Sequence, residues 1–441
     1  MIYFSLPSSP KNAFENIRIV KTLAEPPIAV SQSVAFYMNE IKGKIATRDK
    51  EWDVIKKYTN PYEYIHTIVP LRKKSISKYK PISRSYFKMI EMLAAFRVDV
   101  SYATKSFAQL ESSSPAIRTF HLAEGPGGFI EAVCNKRTNP EDEYYGMTIL
   151  YDETDDNVPA WNKTEYFLSK HPNVHIETGL DGTGNIMHLD NFDHCVRKYG
   201  SSMDLITADG GFDFSKDFNK QELIITNLLW GQTCYALCMQ KYGGNFVLKI
   251  FDCFYSHTVD ILYLLAGFYK EVCVCKPQTS RLGNSEKYVV CRGFRFSDNR
   301  AFLSIIRQSF QIVSRNEQDR VMSLGFLRAK WPTEHVARLL DIPVPVHFVK
   351  HVEEMNAVFG QQQIENIHYT ISIIDKHAKN DRLEQMTKQN MQKCVAWCVA
   401  HGVAYNNFSN TNMFVADARS GGFAKQELVP SESEEESIAA I

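Results

Sequence analysis

The sequence predicts an α/β fold in which a mostly parallel sheet is covered by helices on both faces and is followed by a helical C-terminal extension. Short apolar runs alternate with helical stretches between residues 119 and 294, which is typical of a parallel sheet. A glycine-rich turn joins the first run to the first helix. The last two runs are close together in sequence, which predicts an antiparallel hairpin and therefore one antiparallel strand.

The composition is that of an ordinary globular protein, with 441 residues of which 44% are hydrophobic and 23% are charged. Lys plus Arg and Asp plus Glu each number 50, so any nucleic-acid surface must be a local patch. Neither a signal peptide nor an apolar run of about 18 residues is evident, so no membrane association is expected. Ten cysteines scattered along the chain indicate a reducing compartment, the cytosol or the nucleus.

Residues 1–80 predict a largely helical N-terminal region. At its end, the stretch 71–88 carries seven basic residues interleaved with aromatic ones. Such a stretch suits a phosphate backbone and stacked bases, with a solvated charged surface as the alternative. The stretch 83–98 has helical periodicity, and Lys88 lies opposite its apolar stripe, where it faces a cleft or solvent. That stripe consists of Phe87, Ile90, Leu93 and Ala94.

The alternating segment divides into strands and helices in order. The predicted strands are 119–124, 143–150, 203–211, 243–252, 271–277 and 286–294. The helical stretches between them include 129–137, 221–242 and 257–270. Residues 300–425 lose the alternation and predict a helical C-terminal region, with 368–403 as its longest helical stretch. The acidic, serine-rich residues 426–441 predict a disordered tail.

The glycine-rich turn lies between the first predicted strand and its helix, as Gly125-Pro126-Gly127-Gly128. Backbone N–H groups are exposed at a helix start, and glycine lets a ligand approach them closely. The turn is neither G-x-G-x-x-G nor a phosphate loop with Lys-Ser/Thr, so it lacks the marks of a dinucleotide or triphosphate site. By itself it predicts a ligand site or only a tight turn.

Four segments occur in a fixed order: LAEGPGGF, ADGGF, GGNFVLKIFD and KPQTSRLGNSEKYVVCRGF. Together they resemble the FtsJ-like ribose 2′-O-methyltransferases, and within them the cap-specific mRNA methyltransferases of eukaryotes and large DNA viruses. The resemblance covers roughly residues 80 to 295. It implies a Rossmann-like class I methyltransferase domain over residues 81–299, between the N-terminal region and the C-terminal helices.

The resemblance implies S-adenosylmethionine as the cofactor, with its methionine part against the glycine-rich turn. The implied contacts in this part of the chain are Glu124, Gly125, Pro126, Gly127, Gly128 and Phe129. Asp209 is a further contact, and Asp152 is a contact for the cofactor ribose. Asn185 stands where the family usually has Asp, and its amide can still pair with an adenine edge. No metal is implied.

The resemblance also implies a catalytic Lys-Asp-Lys-Glu set, which falls on Lys88, Asp209, Lys249 and Glu286. A neutral ribose hydroxyl is a poor nucleophile, so it needs a base or a group that holds it in line for attack. Lys249 has that role. As a base it must be neutral, which burial and Lys88 favour and the two carboxylates oppose. The alternative is that charged Lys249 orients the hydroxyl and the proton leaves late.

The function implied is methyl transfer to a ribose 2′-hydroxyl near the 5′ cap of mRNA. The alternatives are the same reaction on ribosomal or transfer RNA, and a catalytically idle RNA-binding subunit. The expected partners are RNA, capped mRNA in particular, and other capping or transcription proteins. The basic stretch 71–88 and Arg281, in the loop before Glu286, are the candidate RNA contacts.

Overall fold

An eight-stranded mixed sheet forms the centre of the fold in the computed structural model. The residues that the structure describes are 1–102, 115–150, 160–211, 218–323, 334–377 and 380–408. The strands are β1 (Ile2–Ser5), β2 (Ile17–Thr22), β3 (Arg118–Leu122), β4 (Glu143–Met147), β5 (Val174–Ile176), β6 (Met203–Ala208), β7 (Gln240–Ile250), β8 (Tyr269–Lys276), β9 (Lys287–Phe294) and β10 (His335–Leu340).

The helices lie mostly between these strands or after them. They are α1 (Gln32–Gly43), α2 (Asp49–Thr59), α3 (Ser85–Phe96), α4 (Gly128–Arg137), α5 (Glu165–Lys170), α6 (Leu189–Tyr199), α7 (Gln221–Met239), α8 (Ser256–Phe268), α9 (Leu303–Ser323), α10 (Val346–Asp375) and α11 (Asn380–Ala400). Among the described helices, none combines the length and the hydropathy needed to cross a membrane.

The strand order of the main sheet is β1-β8-β9-β7-β6-β3-β4-β5. The neighbours from β7 to β5 are all parallel, whereas β9 is antiparallel to both β7 and β8. The predicted mostly parallel α/β sheet and its antiparallel hairpin are therefore confirmed. The sheet also gains an antiparallel edge strand, β1, which pairs with β8 and was not predicted.

The core lies on both faces of the central strands. Phe246, Val247 and Leu248 follow one another in β7 and are all fully buried, as expected for a strand that is covered on both sides. Every residue of α7 is buried. A helix enclosed on all sides needs no polar stripe, which explains why the polar residues of α7 are not gathered on one face.

The regions outside the alternating segment are built into the same compact unit, residues 1–406. β2 pairs with β10 in a separate two-stranded sheet, so the N-terminal region contains strands as well as the predicted helices. The C-terminal helical region is present as α9, α10 and α11. The predicted helical stretch 368–403 is divided between α10 and α11, and His377 between them has a left-handed backbone, with φ of 43°. The predicted tail lies outside the described residues.

The helix predicted over 83–98 is α3, but its buried face differs from the predicted one. Phe87 and Leu93 are buried as expected, whereas Ala94 is exposed. Lys88 and Glu91 on the opposite side are buried instead. They can be buried because each meets polar partners from the segment between β8 and β9, a contact that helical periodicity alone does not reveal.

Candidate active site

The carboxyl ends of the parallel strands and the start of β9 meet at one rim of the sheet. Leu122 pairs with Ala208, and Ala208 pairs with Leu248. Glu124 and Asp209 therefore follow adjacent strands at the same edge. Lys249 pairs with Tyr288 across the antiparallel ladder, so the start of β9 lies at this edge as well. In open α/β sheets this edge is where ligands bind.

Lys88 and Glu286 form a buried ion pair at the rim. Lys88 projects from α3, and its Nζ lies 2.7 Å from Glu286 Oε1. Only 10% of each side chain is exposed. Ser280 Oγ donates a second hydrogen bond to the Glu286 carboxylate at 2.8 Å. Burial alone would raise the pKa of Glu286, but the ammonium groups of Lys88 and Lys249 outweigh it and hold the pKa well below its ordinary value.

Lys249 and Asp209 form the second pair of the site. Lys249 Nζ lies 3.3 Å from Asp209 Oδ1 and also donates a hydrogen bond to the backbone carbonyl of Asp209. Gly211 leaves room for this arrangement, since a Cβ atom at that position would lie 3.1 Å from Lys249 Nζ. The structure thus brings the four predicted catalytic side chains together as two adjacent ion pairs.

Tyr288 links the two pairs and was missed by sequence reasoning. Its hydroxyl donates a hydrogen bond to Asp209 Oδ1 at 2.8 Å and accepts one from Lys88 Nζ at 3.4 Å. Burial, reinforced by the carboxylates of Asp209 and Glu286, raises the pKa of Tyr288 well above its ordinary value, so the hydroxyl keeps its proton. The signal was present in the sequence, because residues 286 and 288 point to the same side of an extended chain.

The segment between β8 and β9 carries Glu286 and is held from several directions. Glu91 on α3 accepts hydrogen bonds from the backbone N–H groups of residues 278 and 279, at 2.7 and 2.8 Å. Lys276, at the end of β8, donates to the carbonyl groups of Asn284 and Glu286 at 2.6 and 2.8 Å. Burial, reinforced by the nearby Lys287, lowers the pKa of Lys276 to about 7.

The N- and C-terminal regions hold the other side of this segment. Arg281 forms a bidentate pair with Glu63, at 2.7 and 3.0 Å, and the Leu282 N–H donates to Asn60 Oδ1 at 2.8 Å. Gln363 on α10 donates to Ser285 Oγ at 3.1 Å and to the Gly283 carbonyl at 3.3 Å. Arg281, predicted as an RNA contact, is thus engaged in a protein ion pair.

The glycine-rich turn forms the start of α4, and its glycines are required by close packing. Gly127 has φ of 106°, a left-handed conformation that favours glycine. A Cβ atom on Gly125 would lie 2.5 Å from the Ala160 carbonyl oxygen, and one on Gly128 would lie 2.2 Å from Ser85 Oγ. The turn is therefore pressed against protein on one side, and Gly128 ties α4 to the start of α3.

The other predicted cofactor contacts near the turn, Pro126 and Phe129, have different positions. The Pro126 carbonyl accepts a hydrogen bond from Thr164 Oγ1 at 2.8 Å. Phe129 is fully buried, with its ring centre 5.8 Å from that of Tyr288, so it supports the site from within the core. Asp152 lies outside the described residues.

Glu124 precedes the turn, and one of its buried carboxylate oxygens has no hydrogen-bond partner among the described residues. Oε1 accepts a hydrogen bond from Thr207, whereas Oε2 is buried without a hydrogen-bond partner and lies 3.4 Å from His121 Nδ1. Burial raises the pKa of this carboxyl. An unpaired buried acceptor beside a ligand-type turn fits the positively charged amino group of S-adenosylmethionine.

Asn185 is buried in a turn between β5 and α6. Its Oδ1 accepts a hydrogen bond from the Met187 N–H at 2.9 Å, and its Nδ2 lies 3.0 Å from His188 Nε2. The amide is therefore largely used within the turn. Its pairing with an adenine edge stays a prediction.

The comparisons with known proteins concern the central part of the chain. A family model described as FtsJ-like methyltransferase matches residues 81–294. A cap-specific mRNA (nucleoside-2′-O-)-methyltransferase 2 of Danio rerio is 30% identical over 285 residues, which are 60% of this chain and 35% of that protein. The corresponding methyltransferase 1 of Trypanosoma brucei brucei is 31% identical over 210 residues, 47% of this chain and 52% of that protein.

The same chain is also similar to a mouse cap-specific mRNA (nucleoside-2′-O-)-methyltransferase 1, with 31% identity over 59% of this chain and 30% of that protein. The chain thus spans about a third to a half of the length of these relatives. Among solved structures, human methyltransferase-like protein 13 in complex with SAH gives a TM-score of 0.29 and 11% identity, covering 53% of this chain and 89% of that one.

Proposed function

We propose that the protein transfers a methyl group from S-adenosylmethionine to a ribose 2′-hydroxyl near the 5′ cap of mRNA, on the basis of the FtsJ-like methyltransferase match over residues 81–294. The observation that carries the proposal is the pair of adjacent ion pairs, Lys88 with Glu286 and Lys249 with Asp209, at the ligand-binding rim. The names of the relatives support the capped substrate.

Glu124 and the turn after it are the residues that would hold the cofactor. The buried, unpaired Oε2 of Glu124 would accept a hydrogen bond from its amino group, and Asp209 lies at the end of the adjacent strand. When bound, S-adenosylmethionine supplies a methyl group on a positively charged sulfur, which a hydroxyl oxygen can displace. The protein must then place that hydroxyl and manage its proton.

Lys249 is the residue that orients the hydroxyl. Two of the directions around its Nζ are used by the carbonyl and the carboxylate of Asp209, which leaves another for a ribose oxygen. Lys88 donates hydrogen bonds to Glu286 and Tyr288, so its role is to position these two side chains and not to contact the ribose. Holding a nucleophile in line removes much of the entropic barrier to its attack.

RNA is the partner that this proposal requires, and capping or transcription proteins are further candidates. The test incubates the protein with labelled S-adenosylmethionine and two RNAs of one sequence, with and without a cap, alongside ribosomal and transfer RNA transcripts. We expect label on the capped RNA alone. Equal labelling of the uncapped RNA would refute the cap assignment, and labelling of a ribosomal or transfer RNA alone would move the activity to that class. The absence of label from every RNA would indicate an idle binding subunit.

A further inference from the structure

A basic cavity of about 490 Å³ lies beside the N-terminal end of α3. Its walls come from residues 66–84 together with Lys163. We propose that this cavity binds phosphate groups of the RNA substrate next to the nucleotide that is methylated. The inference rests on the proposed function, and it identifies how the protein would bind the chain that the active site modifies.

The charged side chains that line the cavity are all basic. The lining contains no carboxylate among the described residues, and its cationic side chains are Lys73, Lys74, Lys80, Arg84 and Lys163. Within the described part of the chain, the four lysines form no ion pair. Such an uncompensated cluster attracts a polyanion and would release its counterions.

Arg84 adds to the excess of positive charge. It lies 3.7 Å from Glu63, but the same carboxylate is already bound by Arg281 at 2.7 Å. One buried carboxylate thus faces two guanidinium groups, and one positive charge is left over at the cavity wall. Guanidinium groups are well suited to bidentate contacts with phosphate.

The cavity is adjacent to the catalytic lysines along a single helix. Arg84 immediately precedes α3, and Lys88 lies four residues further on, which corresponds to about 6 Å along the axis and to nearly the same face. Neighbouring phosphates of an RNA backbone are separated by a similar distance. A chain held at Arg84 would therefore reach the rim at Lys88 within about one nucleotide.

The walls of the cavity are fixed by hydrogen bonds within the protein. Glu131 on α4 accepts from the Tyr79 hydroxyl at 2.6 Å and from the Ile82 N–H at 2.9 Å. The Lys78 N–H donates to the Ala404 carbonyl at 2.9 Å. A site that is held in place without its ligand loses less conformational entropy on binding, which favours affinity.

Most of these cationic residues lie outside the family-matched range. Lys73, Lys74 and Lys80 precede residue 81, where the FtsJ-like match begins. The N-terminal region thus supplies three of the five cationic side chains of the cavity. Its phosphates have two possible sources, the triphosphate bridge of a cap or the phosphodiester chain of the RNA body.

The test measures RNA affinity by fluorescence anisotropy over a series of salt concentrations, without cofactor. The variant is Lys73→Ala/Lys74→Ala/Lys80→Ala, and the matched control is Lys44→Ala/Lys50→Ala/Lys57→Ala, three exposed lysines outside the cavity. We expect the cavity variant to lose at least about tenfold in affinity and to reduce the slope of log K against log salt by about 2 to 3. The triple Lys→Arg variant should retain the affinity.

Two probes distinguish the sources of phosphate. Loss of affinity confined to a short capped oligonucleotide assigns the cavity to the triphosphate bridge, and loss confined to a longer RNA with a 5′-hydroxyl end assigns it to the RNA body. Wild-type affinity and salt dependence for both probes in the Ala variant would overturn the inference. This binding test does not depend on methyl transfer. If the Ala variant loses affinity while the wild-type protein methylates no RNA in the assay described above, the proposed function is refuted and the cavity remains a phosphate site.

Discussion

The hydroxyl of Tyr288 donates a hydrogen bond to Asp209 Oδ1 at 2.8 Å, which joins the start of β9 to the end of β6. The same hydroxyl accepts from Lys88. Both ion pairs of the site are therefore connected through one phenol, and the position of Lys249 depends on it through Asp209.

Replacement of Tyr288 by Phe should lower kcat about 10- to 100-fold, because a hydrogen bond to a charged group contributes about 1.5 to 3 kcal/mol. KM for S-adenosylmethionine should change little. Steady-state kinetics test this expectation. Tyr235→Phe is the matched control, since Tyr235 is also buried but its hydroxyl has no hydrogen-bond partner among the described residues. A Tyr288→Phe variant as active as that control would show that the link has no catalytic role.

Gln363 should support catalysis from outside the range that matches the FtsJ-like methyltransferase family. Its amide donates to Ser285 Oγ and to the Gly283 carbonyl, so Gln363→Ala removes one of the contacts that hold the residue next to Glu286; Asp252 still accepts a hydrogen bond from Ser285. We expect kcat to fall about threefold to tenfold, in line with the loss of one or two neutral hydrogen bonds, while cofactor affinity measured by calorimetry is kept. Gln361→Ala, an exposed change on the same helix, should have no effect. A fall in cofactor affinity with unchanged kcat would contradict this role.

Glu63 should make the free energy of unfolding depend on pH in the acidic range. Burial opposes ionisation, but Arg281 and Arg84 outweigh it and lower the pKa of Glu63 from 4.5 to about 2. Because the folded-state pKa is depressed, the stabilisation is present above pH 4.5 and is lost as the pH falls toward about 2. It corresponds to about 3 kcal/mol of unfolding free energy.

Denaturant unfolding of Glu63→Gln at several pH values measures this contribution. The variant should be less stable than the wild type at neutral pH, and the difference should narrow steadily below pH 4.5. Glu51→Gln on α2 is the exposed control and should follow the wild type. A difference that is constant with pH would mean that the Arg–Glu cluster does not set the ionisation of Glu63.

Glu124 should make cofactor binding depend on pH. In the free protein, burial favours the protonated carboxyl and raises its pKa above 4.5. A bound ammonium group favours the carboxylate, so affinity should increase as the pH rises through this raised pKa and then level off. Calorimetric titrations with S-adenosylmethionine should show this rise for the wild type. Glu124→Gln should bind about 10- to 100-fold more weakly at high pH, and a variant with the wild-type pH profile would exclude Glu124 from the cofactor site.

The predicted fold was correct where its signals are local. Apolar runs alternating with helices indicated all the parallel strands except β5, which has only three residues. β1 and β2 were missed because their partners, β8 and β10, lie hundreds of residues away and short edge strands have no clear local pattern. Apolar periodicity likewise placed Ala94 inside, although the buried side of α3 is decided by what Lys88 and Glu91 meet.

In the candidate active site, too, residues that belong to sequence motifs were predicted, whereas residues that act through distant contacts were not. The resemblance to the FtsJ-like family implied the four charged residues. The sheet register places Asp209, Lys249 and the start of β9 at one rim, and Lys88 reaches that rim through its ion pair with Glu286. The supporting residues Glu63, Glu91 and Gln363 were not predicted, because isolated polar residues on helices become visible only through their tertiary contacts. Arg281 was predicted to contact RNA because its protein partner, Glu63, is distant in sequence and could not be recognised from the sequence.

We expect Lys249 and its neighbours to direct a methyl group to a ribose 2′-hydroxyl. The most direct measurement is mass spectrometry of methyl groups on capped RNAs that carry a single 2′-deoxy nucleotide at successive positions. We expect one position at which the deoxy substitution abolishes methylation, and we expect Lys249→Ala to lose at least about 10²-fold in rate on the unmodified RNA while still binding cofactor. Methylation that survives every deoxy substitution, or a Lys249→Ala variant with full activity, would show that Lys249 does not direct methyl transfer to a ribose 2′-hydroxyl.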